Sequence, residues 1–103
     1  MKKSSEYYWY RGHHIIVGEL IKACHKNNTF VLQHSKKDPE AIFKYFVKLT
    51  GYKKQVVKGI FTQLKRQDLV FLLERDGKRF VEITPNVISV YEMYSHYYPL
   101  GCK

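Results

Sequence analysis

The residues best equipped for chemistry lie between Lys53 and Arg79. Lys53, Lys54, Gln55, Lys58, Thr62, Lys65 and Arg66 come first, then Arg75, Lys78 and Arg79. These side chains are rich in hydrogen-bond donors, and the chemistry they suit is non-covalent contact with phosphate oxygens and base edges. A second group, Tyr7, Tyr8, Trp9 and Tyr10, offers ring faces on which unpaired bases stack at about 1–3 kcal/mol each. Packing of those rings within the protein is the competing use. His13, His14, His25, His34 and His96 with Cys24 and Cys102 are ligand types, but their spacing fits no paired zinc pattern. Neither a metal nor a cofactor is expected. The nine acids are scattered, no glycine-rich phosphate loop is present, and no nucleophile has a base beside it. Binding, rather than catalysis, is the expected activity.

Two elements must position the cationic residues. Over Lys53–Arg66, Val56, Val57, Ile60, Phe61 and Leu64 recur at helical spacing and define a buried face. The opposite face is centred on Gln55, Thr62 and Arg66, with Gly59 beside them and Lys54, Lys58 and Lys65 along one flank, and no acid is expected anywhere on it. Then the period changes. Val70–Arg75 and Lys78–Ile83 flank Asp76-Gly77, a pair suited to a type I′ turn because both residues tolerate positive φ. The hairpin tip therefore carries Arg75, Lys78 and Arg79. Val70, Leu72, Val81 and Ile83 share one face, and Phe71, Leu73 and Phe80 share the other. Which face is buried is left open by the pattern.

Elsewhere the elements read as follows. Ile16, Val17, Leu20, Ile21 and Cys24 predict a helix over about His13–Lys26, ended by Asn27-Asn28. Gly12 interrupts any earlier start at a cost of about 1 kcal/mol in a helix interior. Thr29–Leu32 predicts a brief strand. Asp38 as N-cap and Pro39 in the first turn open a second helix with Ile42, Phe43, Phe46, Val47 and Leu49 inward. Gly51 ends it, with Tyr52 expected to pack back on Val47. So short a connection before Lys53 makes a helix-turn-helix. Thr84-Pro85 starts a last helix bearing the stripe Val87, Val90, Tyr91, Tyr94, Tyr97 and Tyr98, which Pro99 ends.

Composition bounds the partner. A formal net charge of +9 on 103 residues favours an anionic one, with nucleic acid foremost. Nine of the 18 Lys and Arg fall between Lys36 and Arg66, against Asp38 and Glu40 alone. No signal peptide is read at the start, no run approaches the roughly 18 apolar residues of a membrane span, and two cysteines suggest no disulfide framework. A cytoplasmic protein is expected.

The order helix, short strand, helix, turn, helix, hairpin, from about His13 to Thr84, resembles the winged-helix family. The match rests on the Asp38–Gly51 helix, the Gly51-Tyr52 turn, the Lys53–Arg66 helix and the Val70–Ile83 hairpin. It implies an α+β fold: a three-helix core with a short strand, a two-stranded wing and an extra C-terminal helix. It divides the chain into an aromatic and basic arm or helix start (1–12), a winged-helix domain (13–84) and a C-terminal helix and tail packed on the domain or on a dimer partner (85–103). By resemblance, Gln55, Lys58, Thr62 and Arg66 meet base edges or phosphates, Arg75, Lys78 and Arg79 lie on the wing, and the Val87–Tyr98 helix suits a homodimer seam. His13-His14-Ile15-Ile16 and Tyr97-Tyr98-Pro99-Leu100 also look similar to small accessory replication proteins of bacterial mobile elements.

These readings converge on a DNA-binding protein without catalytic activity. The surplus of aromatic residues, 16% of the chain, tips the expectation toward single-stranded DNA and a replication or recombination role. A sequence-specific duplex-binding regulator is the alternative, and a module docking a replication or transcription partner is the second.

Overall fold

The computed structural model describes residues 7–34, 38 and 40–98. Helix α1 (Arg11–Lys26) buries His13, His14, Ile16, Val17, Leu20 and Cys24 along one face. It starts two residues before the expected His13, because the Tyr10 backbone N–H donates to His13 Nδ1 at 3.2 Å and closes the first turn. Gly12 is no interruption. A Cβ there would lie 2.7 Å from Tyr52 Cε2 and 2.9 Å from Ile60 Cδ1, so glycine lets two later elements press onto α1. Tyr52 thus turns onto α1.

Strand β1 (Val31–His34) sits two residues later than the sequence pattern suggests. Its register against the hairpin, Val31↔Glu82 through His34↔Arg79, decides this; Thr29 instead makes a side-chain turn, its Oγ1 accepting from the Val31 N–H at 3.1 Å. Helix α2 (Ala41–Thr50) buries Ile42 and Phe46 and ends at Gly51, whose φ of 80° needs a residue without Cβ. Leu49 is exposed rather than inward. Asp38 does not cap α2 in the expected position: its Oδ1 accepts the Glu40 N–H at 2.9 Å, which displaces the helix start to Ala41. The expected first-turn Pro39 lies outside the described residues.

Helix α3 (Lys54–Arg66) buries Val57, Ile60, Phe61 and Leu64. Val56, expected inward, is 48% exposed. Strands β2 (Val70–Arg75) and β3 (Lys78–Ile83) are joined by Asp76 and Gly77, both at positive φ as a type I′ turn requires. The sheet order is β1-β3-β2, antiparallel throughout. Val70, Val81 and Ile83 are buried, which identifies the core face of the hairpin; Leu72 on the same face is half exposed beyond the edge of the core.

Helix α4 (Pro85–Tyr94) lies on α1. Val87 and Val90 are buried. The Tyr91 ring stacks on His14 with centroids 4.1 Å apart, and its hydroxyl lies 2.8 Å from where a Cβ on Gly18 would be. The helix stops four residues short of Tyr98, where the Tyr97 and Tyr98 N–H groups both turn back to the Tyr94 carbonyl. Pro99, read as the stop, is outside the described residues. Among the described residues, four helices and a three-stranded antiparallel sheet make an α+β arrangement compatible with a winged helix. No helix among the described residues is long and apolar enough to cross a membrane.

Candidate nucleic-acid interface

Lys53, at the N-cap of α3, and Lys54, Gln55, Lys58, Thr62, Lys65 and Arg66 along it are all exposed. They do not stand alike. Glu40, from the turn before α2, receives Lys54 Nζ at 2.7 Å and Lys58 Nζ at 3.3 Å on its two carboxylate oxygens. These hydrogen bonds, Lys54 first and Lys58 second, hold its carboxyl below the usual range. Lys58 Nζ also lies 5.5 Å from the centre of the Phe43 ring. The face without acids in the helix sequence therefore acquires one by folding. Thr62 turns its hydroxyl proton back to the Lys58 carbonyl at 3.0 Å, leaving its oxygen as an acceptor. Lys53, Gln55, Lys65 and Arg66 keep side-chain donors that no hydrogen bond or ion pair uses among the described residues.

The hairpin divides its cations as well. Arg75 and Lys78 pair across the turn and are exposed. Arg79 does not join them at the tip. It shares the core-side face with Val81 and Ile83, opposite His34 and Glu74, and reaches Glu74 Oε1 at 3.5 Å. Burial, reinforced by the charge of Arg79, pushes the His34 pKa down.

The aromatic arm divides between the two uses open to it, packing and exposure. Trp9 is 5% exposed, stacks on Tyr94 with centroids 5.6 Å apart, and donates its Nε1–H to His14 Nδ1 at 3.2 Å. A base has no access to a ring held in that way, so Trp9 leaves the set of stacking candidates. Tyr7 is half-buried beside Tyr94, whose hydroxyl is 3.5 Å from the Tyr7 carbonyl. Tyr8 and Tyr10 remain exposed, at 46% and 57%, in an edge-to-face pair with centroids 4.9 Å apart. The α4 stripe offered to a dimer partner is likewise used within the chain: Val87, Val90, Tyr91 and Tyr94 face α1 and Trp9. Tyr97 falls off that stripe and is exposed.

Gln67 and Gln63, neither read from the sequence as a contact, complete this surface. Gln67, one position past α3, accepts the Tyr8 N–H at 2.6 Å and donates to the Tyr8 carbonyl at 3.1 Å, bridging 59 positions. Its Nε2 also reaches the Gln63 carbonyl at 3.2 Å. This bidentate amide clamp lays the arm alongside α3. Between them runs an open groove of about 430 Å³, lined by Tyr8, Tyr10, Val56, Gly59 and Gln63 among others. No short-range signal marks Gln67, because its partner is backbone at the far end of the chain. Beneath the groove, burial pushes the His13 pKa down to about 4. His14 is lowered by burial too, with partial opposition from the Tyr98 backbone. No three of His, Cys, Asp and Glu gather into a metal-binding group among the described residues.

No protein-family model matches the chain, and no curated protein does either. Among solved structures, the chain is similar to Bordetella bronchiseptica BpsR, in a study of the mechanism for regulation of its DNA binding by 6-hydroxynicotinic acid. The TM-score is 0.59 at 16% identity, over 90% of this chain and 57% of that one. The chain thus spans little more than half the length of BpsR, and what the two share at this identity is the fold.

Proposed function

We propose that this protein is a DNA-binding regulator that reads duplex DNA with α3 and steadies it with the wing. The observation that carries the reading is the α3 surface. Lys53, Gln55, Lys65 and Arg66 stand exposed with unused donors on a helix whose opposite face is wholly buried. A helix of that form fits the major groove, where Arg, Lys and Gln make bidentate contacts to bases. Arg75 and Lys78 at the hairpin tip are in position for flanking phosphates. The fold shared with BpsR, whose DNA binding is regulated, adds support for a regulator.

Duplex is preferred to single strand because the platform for stacking is reduced. Trp9 and Tyr94 stack on each other, and Tyr91 stacks on His14, which leaves Tyr8, Tyr10 and Tyr97 as the exposed rings of the two terminal aromatic segments. The test is fluorescence anisotropy with a labelled duplex and the matching single strand across a salt series, followed by selection of duplexes from a random pool. Tighter binding to duplex is expected, with a steep salt slope. In Lys65→Ala/Arg66→Ala the slope falls by about two, one per lost phosphate contact. Equal slopes in variant and wild type would remove α3 from the interface.

A further inference from the structure

The exposed face of α3 has a gap in its middle. Gln55, Gly59, Thr62 and Arg66 fall on one line at helical spacing, and all but Gly59 carry a polar side chain. A Cβ at Gly59 would meet nothing within 4 Å, and the residue is not among those with positive φ. Neither packing nor backbone conformation within the chain calls for glycine there, and glycine is the poorest helix former after proline. The gap opens into the groove between α3 and the arm. Val56 and Gln63 form the α3 wall, and Tyr8 and Tyr10, held by the Gln67 clamp, form the other.

We infer that this groove receives the sugar–phosphate backbone of one strand of a DNA duplex, which comes closest to the protein at Gly59. The inference rests on the proposed function and adds to it a second, arm-built contact beside α3. The occupant follows from the lining. A strand backbone alternates apolar sugar with anionic phosphate. The groove matches it with apolar Val56 and tyrosine rings, with hydroxyl and amide donors on Tyr8, Tyr10 and Gln63, and with no acid among its lining residues. Arg66 stands exposed on the line of Gly59, so the charge is complementary. The missing side chain sets the distance of closest approach, and the clamp keeps the tyrosine wall from folding over the gap.

The experiment measures Gly59→Ala and Gly59→Leu against wild type, on the tightest duplex that wild-type protein recovers from a random pool, together with thermal denaturation. Both variants relieve a helix-interior glycine in open space, so both are expected to raise Tm by a few degrees. Duplex affinity is expected to fall with side-chain size, by about tenfold or more for Gly59→Leu. Loss of affinity in a protein that is more stable has no explanation in misfolding. Unchanged affinity for Gly59→Leu, with intact wild-type binding, overturns the inference and leaves the proposed function standing. Failure of wild type to bind any duplex at low salt overturns both.

Discussion

Helix α3 and the N-terminal arm both looked, from their side chains alone, like surfaces for nucleic acid, and they fared differently on folding. Lys53, Gln55, Lys65 and Arg66 on α3 point outward with donors unused, whereas Trp9 in the arm lies in the core against Tyr94 and His14. The difference is one of periodicity. In α3, four buried apolar residues at helical spacing dictate where every intervening side chain must point. Tyr7 to Tyr10 have no period, and an aromatic ring buries as readily as it stacks on a ligand. Their fate depends on what else the fold brings near.

The sharpest way to break this comparison is Trp9→Ala. If Trp9 is core, truncation costs about 3–5 kcal/mol, as for other buried aromatic residues. Tm in a circular dichroism melt then falls by well over 10 °C, while Tyr8→Ala shifts it little. An unchanged Tm for Trp9→Ala with weakened DNA binding would return the arm to the stacking role.

A smaller effect is expected from pH, because the same arm is seated on neutral histidines. His13 titrates at about 4 in the folded protein against 6.5 for the free side chain, and His14 is lowered as well. The unfolded chain therefore binds more protons between those values. The stability they confer is complete above pH 6.5 and declines as pH falls toward about 4. Urea midpoints across that window should drop, with Tm falling on the order of 5–10 °C. His13→Gln should flatten the trend; a profile unaffected by that change would show that the histidines are not what seats the arm.

The smallest effect sharpens the other side of the comparison. Glu40 engages two of the seven α3 residues read as DNA contacts, Lys54 and Lys58. Glu40→Gln removes one negative charge from the proposed interface and frees both lysines of their carboxylate partner. A severalfold gain in duplex affinity with little change in Tm is expected, with the salt slope steeper by about one to two. Weaker binding would mean that Glu40 positions those lysines rather than competing for them.

Much of the fold was legible because its signals are local. The Asp76-Gly77 turn, the Gly51 stop and the buried faces of α1 and α3 each depend on residues within a turn or two of one another. The misplacements have particular causes. The β-propensity of Thr29–Leu32 points two residues too early for β1 because strand pairing with β3 chooses its ends. The apolar stripe of α4 runs on in sequence through Tyr97 and Tyr98, four residues past the helix, because the chain there winds back onto the Tyr94 carbonyl. Arg79 was assigned to the wing tip with Arg75 and Lys78, but strand alternation turns it to the other face.

By itself, then, the sequence determined the cationic helix, its inward face save Val56, the hairpin and its register, since periodicity and turn chemistry act over a few residues. Tertiary structure alone decided how that surface is finished. Glu40 meets Lys54 and Lys58 across a helix-helix turn, Tyr52 and Ile60 press on Gly12, and Trp9 stacks on Tyr94. Gln67 holds Tyr8 across 59 positions to make the groove at Gly59. Each of these joins residues that only chain closure brings within a few ångströms, where a side chain's partner, and no longer its type, decides whether it is core, counter-ion or contact.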